Sequence, residues 1–369
     1  MLLEFRTKNY KSFVEEARLS MIAAPKQSGL DYSLMKVKVK DKDIKGLCSS
    51  VIYGPNAAGK TNIIGAMDVM RAIVLRGNVR NAEENPTPNA AACALELIPN
   101  NKLTSPKPVE FSVDFFENDL RIQYSISLDL GLFLDEEYER HILSETLNVN
   151  GDMVFDRKDT LVLGNLNVIR KYLLDVPEDN REKAGEIAKY SITRDELFLT
   201  NGFKLIYAPR FTKLVVDWFS NKFMVIYRAD SMQLIKRFSD TQKKTVYVER
   251  TTDQAAKLFG INSNAVGYMV KGDEPEAKLF SIFKDVKGKE SAAIAAEIFE
   301  SYGTIRFINM FPLVIRAIQT GGTLVVDEFD ASIHPMALMS IINVFHNDDI
   351  NIHHAQLIFN THNPIFLNS

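Results

Sequence analysis

A chain of 369 residues that is 46% hydrophobic and 25% charged can bury one large core or two smaller ones, and it is too apolar to stay unfolded. Its formal net charge of −3 supplies no global basic field, so any DNA contact would need a local patch or a partner. No apolar run reaches the roughly 18 residues of a membrane span. The opening Met1-Leu2-Leu3-Glu4-Phe5-Arg6 also lacks the basic-then-apolar order of a signal peptide. Two cysteines, Cys48 and Cys93, are too few for a disulfide framework or a structural zinc site and read as small buried residues. The expected location is the cytoplasm, with no membrane contact.

In chain order, Leu2 to Asn9 and Ala17 to Ala23 are apolar-rich runs that predict strands. Ser49-Ser50-Val51-Ile52-Tyr53 predicts a short buried strand. Asn62 to Met70 has helical apolar spacing, with a stop near Gly77. Between strand and helix lies Gly-Pro-Asn-Ala-Ala-Gly-Lys-Thr, residues 54 to 61, a complete G-x-x-x-x-G-K-[ST] loop. The turn through Gly54, Pro55, Asn56, Ala57, Ala58 and Gly59 can point backbone N–H groups inward. With those opening the helix at Lys60, Thr61 and Asn62, they make a nest for phosphate oxygens. Lys60 then lies along the β- and γ-phosphates and the Thr61 hydroxyl ligates Mg²⁺. The expected cofactors are therefore ATP and Mg²⁺. A glycine-rich turn that binds nothing is the bland alternative, and the strand-loop-helix context counts against it.

Asn81 to Ala91 reads as an exposed loop. Val109 to Phe115 and Ile122 to Leu128 alternate around the turn Glu117-Asn118-Asp119, which predicts a hairpin with one buried and one solvated face. From about Pro177 to Ser239 the pattern is helical, with Trp218 a core residue. Asp253 to Gly272 and Ala277 to Gly288 look like mixed short elements, and Ala292 to Glu300 a helix. Thr323-Leu324-Val325-Val326-Asp327-Glu328 is an apolar run ending in two carboxylates, which a buried strand would present beside the phosphate loop. Asp327 would hold Mg²⁺ through water and Glu328 would polarise the attacking water. Lys60 and Asp327 stand near opposite ends of the chain. A hairpin lobe and a helical segment must therefore separate the two halves of the site, an arrangement that excludes small GTPases.

Five motifs in order now resemble ABC-type ATPases of the SMC, RecF and OLD kind. They are the opening Leu2-Glu4-Phe5-Arg6-x-x-Asn9-Tyr10-Lys11-Ser12-Phe13, the loop Gly54-Pro55-Asn56-x-x-Gly59-Lys60-Thr61, a divergent signature Glu300-Ser301-Tyr302-Gly303-Thr304, the joined catalytic strand and D-loop Asp327 to Pro335, and the switch segment Phe359-Asn360-Thr361-His362-Asn363-Pro364. The resemblance implies an α/β fold: an ABC-type P-loop ATPase head with a mixed β-sheet core and an antiparallel β-lobe. Residues 1–160 would form its N-terminal half with the lobe, 161–290 a mainly helical insert, and 291–369 its C-terminal half. It further implies that Ser301 and Gly303 reach the γ-phosphate held by a second copy, making a head-to-tail ATP-sandwich dimer or higher homo-oligomer. A plain N-cap for a helix from Ile305 to Ile318 would explain Ser301 equally, and both can hold. His362 would sense the γ-phosphate. His334 takes the D-loop position where many transporters have aspartate, and Gln123 is a weak candidate for a lobe-coupling glutamine.

The signature and the Asp-Glu-Phe-Asp-x-Ser-x-His-Pro stretch most resemble AAA-type ATPases of prokaryotic two-component phage-defence systems of the PARIS, OLD and abortive-infection type. There the ATPase works with a separate TOPRIM-type, HNH-type or other toxic effector after sensing a phage component. The resemblance thus implies a slow ATPase switch. A RecF- or SMC-like DNA-binding clamp in repair is the alternative, and a scaffold cemented by ATP with little hydrolysis a third reading. No TOPRIM-like acidic constellation is visible, so the effector is expected to be separate or the sequence to be part of a longer protein.

Overall fold

The computed structural model describes residues 1–24, 31–39, 42–80, 96–133, 135, 138–175, 183, 192–227, 245–247, 265–269, 278–284, 286, 290–331 and 333–368. Cys93, the loop expected at 81–91 and most of the mixed elements expected over 253–272 lie outside these residues.

Strands β1 (Leu2–Lys8) and β2 (Ala17–Ser20) open the chain, and β3 (Leu34–Val39) pairs antiparallel with β4 (Lys42–Leu47). Next, β5 (Ser49–Tyr53) leads into helix α1 (Lys60–Arg76), which ends on Gly77 in the left-handed region. Five strands follow: β6 (Val109–Glu117), β7 (Leu120–Asp129), β8 (His141–Val149), β9 (Asp152–Arg157) and β10 (Leu161–Leu163). With β1 and β2 they make a seven-stranded antiparallel sheet in the order β10-β9-β8-β7-β6-β1-β2. The expected β6–β7 hairpin is present, and strict alternation along β7 buries one face and leaves the other half-exposed. This antiparallel lobe runs on to Leu163, past the expected boundary at 160.

Among the described residues of the expected insert, both helical turns and strands occur. Helical turns run through 199–222, including α2 (Pro209–Asp217). Trp218 is buried there, as its apolar context predicts, and stacks on Phe115 with ring centroids 3.9 Å apart. Beyond it come β11 (Phe223–Ile226) and then β12 (Thr245–Tyr247), β13 (Ala265–Met269), β14 (Lys278–Lys284) and β15 (Glu290–Ala295), the last four forming an antiparallel sheet. Among the described residues of 161–290 these strands stand beside the helical turns, and much of the expected helical insert lies outside the described residues. A short apolar run such as Phe223-Met224-Val225-Ile226 has no period that separates a buried strand from a buried helix turn. Residues 292–295, expected as helix, are strand because Ala293 and Ala295 pair with Ile282 and Phe280 on β14. Pairing overrides the helical propensity of alanine.

The last third holds α3 (Tyr302–Thr320), β16 (Thr323–Val326), α4 (Pro335–His346) and β17 (Gln356–Thr361). Strands from distant parts of the chain meet here in a four-stranded parallel sheet, order β11-β16-β17-β5. Its faces enter two cores. Val325 and Ile358 join the core that contains α1 and the antiparallel lobe, whereas Leu324, Val326, Leu357 and Phe359 join α3 and α4. Burial on both faces explains the continuous apolar runs of β16 and β17. β5, expected to be buried, is an edge strand and only half-buried, with Tyr53 49% exposed.

Two buried polar side chains join the parts. Gln356 is fully buried, and its amide makes four hydrogen bonds. It accepts from the Leu2 N–H (2.6 Å) and the Thr323 hydroxyl (3.0 Å), and donates to the carbonyls of Leu2 (3.1 Å) and Leu47 (3.0 Å). It therefore ties the lobe's first strand to the parallel sheet. Glu145 on β8 accepts from the Phe198 and Leu199 N–H groups and from the Tyr124 hydroxyl, anchoring the helical segment on the lobe. Burial pushes its carboxyl pKa up while those donors pull it down.

Candidate nucleotide site

Because β5, β16 and β17 are parallel, the loops that leave them emerge at one end of the sheet, where α/β proteins place their ligands. These loops carry the glycine-rich segment, the Asp327-Glu328 turn and His362. The strand β17 lies between β5 and β16, so contact between the glycine-rich loop and the acidic turn has to pass over the end of β17.

The loop has the backbone that its sequence demands. Ala57 and Gly59 adopt positive φ, 61° and 92°, and Gly59 is the N-cap of α1. A Cβ at Gly59 would come within 3.0 Å of Ser12 Oγ and 3.2 Å of the Phe13 ring, besides being strained by its φ. The opening motif is thus packed against the loop, and Asn62 Nδ2 donates to Ser12 Oγ at 2.8 Å. Lys60 is buried, with its ammonium donating to the carbonyls of Gly54 and Pro55, both at 2.8 Å. Lys11 pairs with Glu96 and donates to the Tyr227 hydroxyl (3.0 Å).

Thr61 donates from its hydroxyl to Asp327 Oδ1 at 3.0 Å, which brings together the two residues expected at the metal. Asp327 is buried, and its second partner is Asn360, whose side-chain N–H₂ donates to the same oxygen. The other end of the Asn360 amide accepts the Glu328 N–H, and the Asn360 carbonyl accepts the Phe329 N–H at 3.2 Å. Glu328 sits at φ 50°, in the left-handed region that a non-glycine residue enters at a cost of order 1–2 kcal/mol. Among the described residues its carboxylate has no hydrogen-bond partner. From α3, Arg306 reaches the carbonyls of Asp327 (3.4 Å) and Glu328.

His362 is exposed one residue beyond the Thr361–Tyr53 pair, beside the start of the glycine-rich loop. Thr361 donates to Asp330 Oδ2 at 2.7 Å, linking the switch segment to the D-loop. His334 caps α4, its Nδ1 accepting from the Met336 N–H at 3.2 Å. Ser301 caps α3, accepting from the Thr304 N–H at 3.1 Å, so the N-cap reading of this residue is correct; it and Gly303 stand at the helix end, outside the Asp327 hydrogen-bond network. Gln123, the weak candidate for a lobe-coupling glutamine, lies mid-strand in β7 and donates to Asp114 at 3.2 Å.

Sequence reasoning gave Asn360 and Arg306 no role. Each carried a signal: Asn360 is one of three polar residues in a wholly buried strand, and Arg306 is a charge that α3 buries.

Residues 49–368 match the family of AAA domains described as putative AbiEii toxin, type IV toxin–antitoxin system. The chain belongs to this family. It therefore carries an ATPase domain related to abortive-infection proteins. Among solved structures, the SMC head domain from Thermotoga maritima is similar at 14% identity and a TM-score of 0.35, covering 100% of this chain and 91% of that one. No curated protein sequence matches the chain. No helix among the described residues is long and apolar enough to cross a membrane.

Proposed function

We propose that this chain binds ATP with Mg²⁺ through residues 54–62, hydrolyses it slowly with Glu328 as general base, and uses the nucleotide to assemble with further copies of itself and control a separate effector in anti-phage defence. The observation that carries the reading is the hydrogen-bonded unit Thr61–Asp327–Asn360–Glu328, which joins the phosphate loop to the acidic turn. Its donor set fits a magnesium nucleotide: one hydroxyl and one carboxylate oxygen side by side, in the way hard cations are held when phosphate and water complete the shell. The ion would neutralise charge on the phosphate oxygens.

Lys60, which bridges two carbonyls of its own loop, would turn to the β- and γ-phosphate oxygens. The N–H groups from Gly54 to Asn62, with Ala57 and Gly59 at positive φ, form the cradle. Glu328 orients water and takes its proton, and its carboxylate, without a hydrogen-bond partner among the described residues, suits that role. His362 contacts the γ-phosphate from the end of β17. Ser301 and Gly303, at the start of α3, face the nucleotide of a second copy, so ATP cements a head-to-tail pair. The family description supports the link to phage defence, and the cytoplasm is the proposed location.

Tagged Glu328→Gln protein, pulled down from its native host with ATP and Mg²⁺, tests the assignment. Co-purification of a nuclease or toxin encoded beside it is the expected result. Recovery of DNA with repair proteins and no such effector would replace this reading by the RecF-like clamp.

A further inference from the structure

We propose that Arg306 is a positioning residue that couples the signature end of α3 to the backbone of Glu328; the proposal rests on the assignment of Glu328 above. The peptide units on both sides of Glu328 are pinned. Its N–H is held by Asn360 Oδ1, and its C=O accepts from Arg306 Nη2, which also reaches the Asp327 C=O at 3.4 Å. A left-handed conformation at a non-glycine residue persists only where its surroundings over-determine it, and these two pins, with the Ala331 N–H that also donates to the Glu328 C=O at 3.0 Å, do so. Releasing the Arg306 pin would let φ relax and swing the Glu328 carboxylate away from the phosphate loop.

The guanidinium is built in, not adventitious. Arg306 is 4% exposed, and its buried Nη1 has no hydrogen-bond partner among the described residues. A buried cationic donor is normally satisfied, so a side chain kept there with a spare N–H₂ marks a group with a second arrangement open to it. Arg306 also lies on the first turns of the helix that Ser301 caps. Nucleotide pulling on Ser301 and Gly303 would shift those turns, and Arg306 would carry the shift to the two carbonyls of the acidic turn. The carboxylate that activates water would then be set only when the signature end is engaged, so hydrolysis waits for assembly.

The test uses the full chain with Arg306→Met, which keeps length and apolar bulk, and Arg306→Lys, which keeps a charge and can still donate to one carbonyl. Nucleotide binding should stay within about threefold of wild type, because no group of the phosphate loop is touched. The turnover number should fall at least tenfold in Arg306→Met with KM little changed, and Arg306→Lys should recover part of it. Hydrogen exchange supplies a readout independent of turnover. The Glu328 and Phe329 amides should exchange at least tenfold faster in Arg306→Met, while amides in β16 and α1 keep their protection. In a Glu328→Gln background, Arg306→Met should cause no further loss.

Unchanged turnover in a folded Arg306→Met protein would overturn the proposal. So would protection lost evenly across the domain, or a rise in KM equal to the loss in rate, since each denotes a merely structural arginine. If Arg306→Met does not fold, Arg306→Lys decides by the same exchange and KM criteria. Wild-type turnover that does not depend on Glu328 would overturn the assignment of the base, and this proposal with it.

Discussion

Replacing Gln356 by leucine removes four hydrogen bonds at one buried point while nearly conserving volume. The amide accepts from Leu2 N–H and the Thr323 hydroxyl and donates to the Leu2 and Leu47 carbonyls, at 2.6 to 3.1 Å. Leucine fills most of the same space, so the cavity term is small. The Thr323 hydroxyl can rotate to another acceptor, but the three backbone groups cannot move without breaking strand pairing. Each buried backbone group left unpaired costs about 1–3 kcal/mol, so the three left by Gln356→Leu should destabilise by roughly 3–9 kcal/mol. That is a large share of the ~5–15 kcal/mol typical of a folded domain.

Urea unfolding followed by far-ultraviolet circular dichroism and by tryptophan fluorescence provides the assay. The single Trp218 stacks on Phe115 of β6 and on Phe223 of β11, so its emission reports on the contact between the lobe and the parallel sheet. The midpoint should fall in both signals, the fluorescence change coming no later than the dichroism change. A loss below about 1 kcal/mol with coincident transitions would refute the claim that Gln356 holds the two sheets together.

Asp68, buried on α1, has its pKa raised to about 6 by burial, against the pull of nearby Arg71. The folded state therefore binds this proton more tightly than the unfolded one, and the associated stability is present below about pH 4 and lost as pH rises through 6. Asp68→Asn should remove that dependence and be up to about 2–3 kcal/mol more stable than wild type at pH 8; a stability difference that does not vary between pH 4 and 8 would contradict it. Ser301→Arg should leave nucleotide binding by the isolated subunit intact yet abolish ATP-dependent pairing of the Glu328→Gln protein in sedimentation velocity, and retained pairing would remove Ser301 from the interface.

Much of the site was legible because its chemistry is local in sequence. The glycine-rich loop needs positive φ at Gly59 and a lysine and threonine opening a helix, and eight consecutive residues state this. The strand ending in Asp327-Glu328 and the cap at Ser301 are equally local signals. What was illegible depends on partners far away in the chain. Strand β11 could not be told from helix without its neighbour β16, and residues 292–295 are strand only because β14 pairs with them. Gln123 was only a weak candidate for coupling the lobe, and its partner Asp114, on the adjacent strand, is invisible to a linear reading. Asn360 and Arg306 were passed over for the same reason. Their importance lies in which main-chain groups they reach, 33 residues away for Asn360 and Asp327.

ATP turnover by the wild-type and Glu328→Gln proteins, measured beside nucleotide binding in the same Mg²⁺ buffer, tests the central claim most directly. Both proteins should bind ATP alike, because Lys60, Thr61 and Asp327 are untouched, and only the wild type should release phosphate. Removal of a positioned general base typically costs on the order of 10²–10⁴ in rate. Turnover by Glu328→Gln at the wild-type rate would contradict the assignment of the base and, with it, the reading of this site as the place where ATP is hydrolysed.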